Sequence, residues 1–370
     1  MSELAFDHFE FTDDYGPEKV VTVYEPRCGL EGIVVIDNSA AGPTMGGIRM
    51  APDVSVEEVC RLARAMTWKN AMARLRHGGG KAGIRANPRT ANREALIRQF
   101  GRAIRQLTDY IPAPDMGTNE TAMAWIRDEG GRSVGLSRSL GGIPLDETGS
   151  TGFGLAIAAE VAEEAGVVAL EGATVSIQGF GNVGRPAARF LAERGARLVS
   201  VTDLDGTICD PDGIDIDELV ATMDATGGVT AYPRGSRIDG DAFLDLEVDF
   251  FVPAARPDVI DSGNAGRVGC KVVLQGANIP VTPAGERILH DRGILSIPDF
   301  VANAGGIICG AVEYAGGSER QAFERIEDTV RQNTREVLEL ARGEKCLLRE
   351  AAMSIAQRRV SEAMAYRRAD

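Results

Sequence analysis

The sequence predicts an α/β protein of two domains, and three observations carry that reading. From about residue 150 helical and strand patterns alternate, which is the rhythm of a parallel sheet with crossover helices. Before that point lie β-branched runs and amphipathic helices that belong to a different, mixed sheet. Between the two parts the segment GGIPLDETGS, around residue 145, reads as a loop. The 370 residues suffice for more than one buried core without a metal or disulfide staple.

In the first part, residues 19–24 (KVVTVY) and 31–37 (EGIVVID) are short β-branched runs near Pro and Gly and are expected as strands. The glycine-rich stretch 41–49 (AGPTMGGIR) is then expected to leave the sheet. Ser55 and Glu58 have capping-box spacing, and Val59, Leu62, Ala63 and Met66 follow at helical intervals, so 56–75 is expected as helix. A second helix is expected over 93–108, with Leu96, Ile97, Phe100, Ile104 and Leu107 on one face.

In the second part, helices are expected over 152–166 and 184–195 and strands over 173–178, 197–202, 248–252 and 271–275. Ser318 and Gln321 would cap a long helix to about 342, followed by another over 346–367. The domains are therefore placed at 1–145, joined by about 340–370 as the last helices return, and at 146–339.

Composition narrows the partners. The 40 Lys+Arg against 54 Asp+Glu leave a net charge of -14, which repels phosphate backbones and anionic lipid, so no nucleic acid or membrane is expected. The six cysteines are scattered, without a C-x-x-C pair or a histidine at zinc spacing, so they read as reduced thiols and no metal is expected. The N-terminus MSELAFDHFE lacks a signal-peptide pattern, and a cytoplasmic protein is expected. Glycine is the unusual count, 44 of 370 or about 12% where roughly 7% is average.

Some of that glycine has a chemical address. Gly179-Phe180-Gly181-Asn182-Val183-Gly184 is a G-x-G-x-x-G that follows the strand ATVSIQ and opens a helix, and Asp203 ends the next strand. Those are the context requirements of a Rossmann-like dinucleotide-binding fingerprint. The loop would bring backbone N–H groups to a pyrophosphate, and Asp203 would accept from the adenosine ribose hydroxyls. With Asp205 nearby and no basic residue immediately following, NAD is favoured over NADP. The alternative for Asp203 is a cap on the following turn.

In the first domain Lys81 stands in HGGGKAGI, bordered by Gly78 to Gly80 and Gly83, and Lys69 in MTWKN. A lysine wrapped in side-chain-free backbone admits a ligand closely, and burial beside another cation would make it a general base. Asp115 lies in PAPDMGTNE ahead of an expected N-cap at Thr118, and reads equally as a turn or capping aspartate.

The segments GPTMGGIRM, MTWKN, GGGKAGI, PAPDMGTNETAMAWI, TGFG, QGFGNVG, GAN and VANAGG, in this order, resemble the glutamate, leucine, phenylalanine and valine dehydrogenases over essentially the whole chain. The resemblance implies an N-terminal substrate-binding and oligomerisation domain and reversible oxidative deamination of an amino acid to its 2-oxo acid and ammonium. It implies that Lys69, with the N–H groups of Gly46 and Gly47, binds the substrate α-carboxylate. Lys81 would act as base on water, Asp115 would exchange protons with the substrate nitrogen, and Asn303 would bond the amino group. Thr151 and Asn278 would lie at the nicotinamide end of the cofactor. A homo-oligomer, hexamer or octamer, is implied as well.

Substrate choice departs from the glutamate pattern. In glutamate enzymes of this type a lysine before the Gly-Gly pair and a serine seven residues after the NAGG asparagine hold the side-chain carboxylate. Here those positions are Met45 and Gly310. With Ala113 and Ile307 they would line an apolar pocket, which favours a branched-chain or aromatic amino acid. The alternative is a glutamate dehydrogenase with a rebuilt anchor, Arg49 being the nearest substitute.

Overall fold

The computed structural model describes residues 8–238 and 240–366. The N-terminal residues 1–7 and residue 367, the last of the helix expected over 346–367, lie outside them. Two compact units form. One holds the chain to Leu145, Ile307–Ala322 and the residues from Ile355; the other holds Asp146–Gly306 and Phe323–Ser354.

The first unit is built on a five-stranded mixed sheet of β1 (Lys19–Glu25), β2 (Leu30–Asn38), β3 (Thr44–Ala51), β4 (Gly79–Arg85) and β5 (Tyr110–Pro114). Their order is β1-β2-β4-β3-β5, with β3 parallel to both β4 and β5. The stretch expected to leave the sheet is thus one of its central strands. Its glycines carry no β-type side-chain pattern, yet the site demands them: a Cβ at Gly46 would fall 1.8 Å from Gly80 O. β4 is hidden in the same way, while Pro112 and Pro114 confine β5 to an edge.

Helix α1 (Val56–Met72) covers one face of the sheet, with Val59, Cys60 and Ala63 packed on Ile33, Val35 and Val54. The Ser55 hydroxyl accepts from Glu58 N–H at 3.1 Å, as the capping-box spacing implies. Helices α2 (Arg93–Ile104) and α3 (Glu120–Asp128) bury Ile97, Phe100 and Ile126 against Val34, Ile48 and Ile84 on the opposite face. The N-cap of α3 is Asn119 rather than Thr118, because the Thr118 hydroxyl donates to Ile48 O and accepts from Asp115 N–H.

The second unit begins within α4 (Leu145–Thr148) and continues with α5 (Ser150–Glu164). Then follow β6 (Thr174–Gln178), α6 (Gly184–Ala192), β7 (Arg197–Asp203), β8 (Gly206–Cys209), α7 (Ile216–Thr226), β9 (Ser236–Ile238) and β10 (Val248–Pro253). β11 (Cys270–Leu274), α8 (Pro283–Asp291), β12 (Leu295–Ile297) and α9 (Asp299–Ala302) complete the sheet and its cover. The order is β12-β11-β10-β6-β7-β8-β9, parallel except for β8 and β9, which add an antiparallel edge.

Three helices remain: α10 (Gly305–Tyr314), α11 (Glu319–Glu344) and α12 (Leu348–Ala365). Ser318 and Gln321 form the expected reciprocal cap of α11. The return to the first unit comes in two pieces, 307–322 and from 355, rather than in one from about 340. Gly310 of α10 packs on Val134 and Met45 of the first unit, which draws the earlier piece in. Among the described residues no helix is long and apolar enough to cross a membrane.

Candidate active site

The first unit gathers its charged residues over the β4-β3-β5 strip. Lys81 Nζ lies 2.5 Å from Asp115 Oδ2, and both side chains are mostly buried, so the charge beside Lys81 is a carboxylate and not the cation expected. Asp115 follows the end of β5, so its partner must reach across β3 from β4. Gly47 makes this feasible, since a Cβ there would lie 2.6 Å from Asp115 Cβ and 2.8 Å from Pro114 O. Burial by itself would raise the Asp115 carboxyl, but the charge and hydrogen bond of Lys81, with the Arg49 guanidinium, hold it below its ordinary 3.8.

The surroundings fix this pair. Asp115 Oδ1 accepts from Met116 N–H at 2.7 Å. Tyr110, fully buried, donates its hydroxyl to Gly46 O at 2.9 Å, and burial beside Asp115 pushes its phenol well above 10.0, so it remains a donor. Asn70 donates to Met45 O and Gly78 O, tying β3 to the segment that leads into Gly79 and Lys81. Lys69 sits one residue earlier in the last turn of α1, half-buried, on the helix face of Met66, whose Cγ comes 3.4 Å from a Cβ placed on Gly46. Arg49 is committed to carboxylates, 2.6 Å from Glu58 and 3.7 Å from Asp115, which leaves it poorly placed as a substitute substrate anchor.

Met45, Ala113, Ile307 and Gly310 are all buried. A Cβ at Gly310 would lie 3.8 Å from Met45 Sδ and only 3.2 Å from Val134 Cγ2. The two positions that depart from the glutamate pattern are therefore neighbours, and Val134 has taken the space of a side chain at 310. Ala113 pairs with Gly47 across β3 and β5.

In the second unit the loop Gly179–Gly184 joins β6 to α6. β7 and β10 flank β6 on opposite sides, so the loop lies at the topological switch point of the sheet. Gly179 has φ +95°, and a Cβ at Gly184 would strike Gly179 O at 1.9 Å, so both are required by the turn and its packing. Gly181 faces open space, and Gly181 and Asn182 are exposed. That open face is a cradle that a side chain would fill, which suits backbone N–H groups meeting a pyrophosphate, and Val183 leads directly into α6. The residues present therefore fit a dinucleotide.

Asp203 Oδ1 accepts from Asp205 N–H at 2.8 Å and Oδ2 from Val229 N–H at 2.7 Å. It caps its turn, while each oxygen retains a further lone pair for a ribose hydroxyl. Asn303 donates from Nδ2 to Gly276 O and Ala277 O, so an amino group would have to meet its Oδ1. Those bonds hold the turn that exposes Asn278. Thr151 lies in the first turn of α5, its Oγ1 3.2 Å from a Cβ placed on Gly306. The Asn278 turn rests on Arg349, which donates to Gln275 and Asp299 at 2.8 Å each and to Glu286 at 2.7 Å. Asp299 in turn accepts from Ile279 N–H at 2.9 Å. Among the described residues no cluster of His, Cys, Asp and Glu is placed to hold a metal.

Comparison with known sequences gives the family. Residues 141–368 match the profile described as Glutamate/Leucine/Phenylalanine/Valine dehydrogenase, and residues 17–131 match the Glu/Leu/Phe/Val dehydrogenase dimerisation domain. The chain belongs to the Glu/Leu/Phe/Val dehydrogenase family. Its members are amino-acid dehydrogenases, oxidoreductases acting on CH-NH2.

A glutamate dehydrogenase of Aeropyrum pernix is 41% identical, over 89% of this chain and 85% of that one. An NADP-specific glutamate dehydrogenase of Saccharolobus shibatae is 37% identical over 95% and 90%, and an NAD-specific one of Staphylococcus aureus 38% over 89% and 84%. Among solved structures, a hetero-hexameric glutamate dehydrogenase of Thermus thermophilus in a Leu-bound form has a TM-score of 0.86 at 29% identity, covering 96% of this chain and 91% of that one. An L-tryptophan dehydrogenase of Nostoc punctiforme has a TM-score of 0.74 at 26% identity, covering 96% and 99%. These relatives back the glutamate alternative more than the apolar substrate first expected from Met45 and Gly310.

Several residues that shape the site of this dehydrogenase carry no sequence signal of their own. Val134 is a lone apolar residue in a loop, and Tyr110 and Asn70 act through contacts with backbone far along the chain. Most of the glycines read as ligand-facing prove to face the protein itself. Gly46, Gly78, Gly79 and Gly83 would each place a Cβ within 2.4 Å of a neighbouring atom.

Proposed function

We propose that the chain catalyses reversible NAD(P)-linked oxidative deamination of an L-amino acid to its 2-oxo acid and ammonium, with glutamate the substrate its relatives favour. The observation that carries the reaction class is the buried Lys81–Asp115 pair above Gly47. Lys69 holds the substrate α-carboxylate, with the N–H groups of Gly46 and Gly47. The Gly179–Gly184 loop, Asp203, Thr151 and Asn278 would hold the dinucleotide, whose nicotinamide would supply the acceptor for hydride from the substrate Cα. Lys81 draws a proton from the water that attacks the iminium carbon, and Asp115 passes protons to and from the departing nitrogen. Asn303 accepts from the amino group.

NAD is favoured at Asp203 because a carboxylate that takes ribose hydroxyls repels a 2′-phosphate. A homo-oligomer is supported by the match to the dimerisation domain. A second substrate reading, an apolar branched-chain or aromatic amino acid, is supported by Met45 beside Gly310, where the residues at the two anchor positions offer a side-chain carboxylate no polar partner. The test is a panel of glutamate, leucine, valine, isoleucine and phenylalanine, each with NAD and NADP, followed by nicotinamide absorbance. Turnover of glutamate alone removes the apolar reading, turnover of apolar members alone removes glutamate, and no turnover with any member overturns the proposal.

A further inference from the structure

Helix α10 carries a carboxylate that the proposed chemistry does not use. Glu313 stands three residues beyond Gly310, on the same helical face. Its Oε2 accepts from Gly135 N–H at 2.9 Å and Ile143 N–H at 3.1 Å, and its Oε1 accepts from Leu136 N–H at 3.2 Å. One side chain thus gathers three backbone donors from one loop. Burial raises the Glu313 carboxyl in spite of those donors, with the field of Arg127 as the further compensation, so the group is held there at a cost.

That loop begins at Val134, the residue packed against Gly310. Val134 is 1% exposed, and its own N–H donates to Pro112 O at 2.9 Å, one residue before Ala113 in β5. Gly135 follows in the left-handed region at φ +74°, and a Cβ there would lie 2.7 Å from Pro114 Cδ. The loop is therefore held between β5 and α10, with the Val134 side chain buried. Its Cγ2 stands 3.2 Å from the Cβ position of Gly310, and Met45 Sδ stands 3.8 Å from the same point.

We propose that Glu313 is a positioning residue for substrate selection, setting the depth of the side-chain pocket by fixing Val134 against Gly310 and Met45. The proposal rests on the amino-acid dehydrogenase reading above. A carboxylate is required because three N–H groups need acceptors on both oxygens, whereas glutamine would turn an NH2 toward one of them.

The test compares Glu313→Gln, Val134→Ala and the double variant with the wild type on the amino-acid panel. Amide hydrogen exchange at Gly135, Leu136 and Ile143 is followed in parallel. E313Q is expected to speed exchange at those amides and to raise KM for the preferred amino acid by about tenfold. It should change the ratio of kcat/KM between small and large side chains while leaving the dinucleotide KM unchanged. V134A should alter the same ratio, and the double variant should add nothing further, as for two residues acting through one contact. An unchanged ratio in E313Q, or additive effects in the double variant, overturns the role. Should E313Q fail to fold, V134A decides alone, and an unchanged ratio there overturns the role too. A wild type inactive on every panel member overturns the dehydrogenase reading itself, an outcome distinguished because it needs no variant.

Discussion

Lys81 Nζ and Asp115 Oδ2 stand 2.5 Å apart although β4, which carries Lys81, and β5, which leads into Asp115, are not neighbours. β3 runs between, and only the absence of a side chain at Gly47 lets the two meet above it. The pair is thus a property of three strands together. If it performs the proton transfers, Lys81→Met and Asp115→Asn should each lower kcat by about 100- to 10,000-fold. Dinucleotide affinity, followed by fluorescence titration, should stay where it is. A variant with wild-type kcat would remove that residue from the chemistry.

Gly47→Ala tests the same relationship without touching a charge. The added methyl must displace Asp115 or Pro114, an overpacking cost of about 1–3 kcal/mol. Denaturant unfolding should register that loss, and kcat should fall with it. Full activity in a destabilised G47A would mean that the pair need not be intact.

Acid should reveal the pair in stability as well. The folded Asp115 carboxyl lies below its ordinary 3.8, so the unfolded chain binds its proton first as pH falls. The stabilisation is therefore fully present above about 3.8 and lost as pH drops through the lower folded value. The difference in unfolding midpoint between wild type and D115N should be constant at higher pH and shrink below that point. A difference that grows with acid would contradict the lowered carboxyl.

The dinucleotide loop separates folding from binding residue by residue. Gly181→Ala faces open space and should leave the thermal midpoint unchanged while weakening the dinucleotide by about tenfold. Gly184→Ala would drive a methyl to 1.9 Å from Gly179 O and should destabilise the second unit before binding can be measured. Equal behaviour of the two in a thermal melt would count against this division.

Arg349 should prove costly to remove. Its guanidinium holds Gln275, Glu286 and Asp299, and Arg349→Met would leave two buried carboxylates without their cation. The expected loss is about 3–5 kcal/mol in denaturant unfolding. A loss near zero would show that Glu286 and Asp299 are compensated elsewhere.

Much of this protein is legible in its sequence because the signals involved are local. The Ser55–Glu58 and Ser318–Gln321 caps, the helices they open and the strand–loop–helix around Gly179–Gly184 each depend on residues a few positions apart. Lys69, Lys81, Asp115 and the family itself followed from ordered short motifs. What sequence patterning missed was decided by contacts between distant segments. β3 and β4 are rich in glycine and show no alternation, and they become strands only because neighbouring backbone closes to distances that exclude a Cβ. Met45, Val134, Gly310 and Glu313 span most of the chain, and only the packing of α10 on the first sheet brings them together. Short-range hydrogen bonding and periodicity determined the elements; close packing between remote segments decided which strand lies under Asp115 and which residue fills the space beside Gly310.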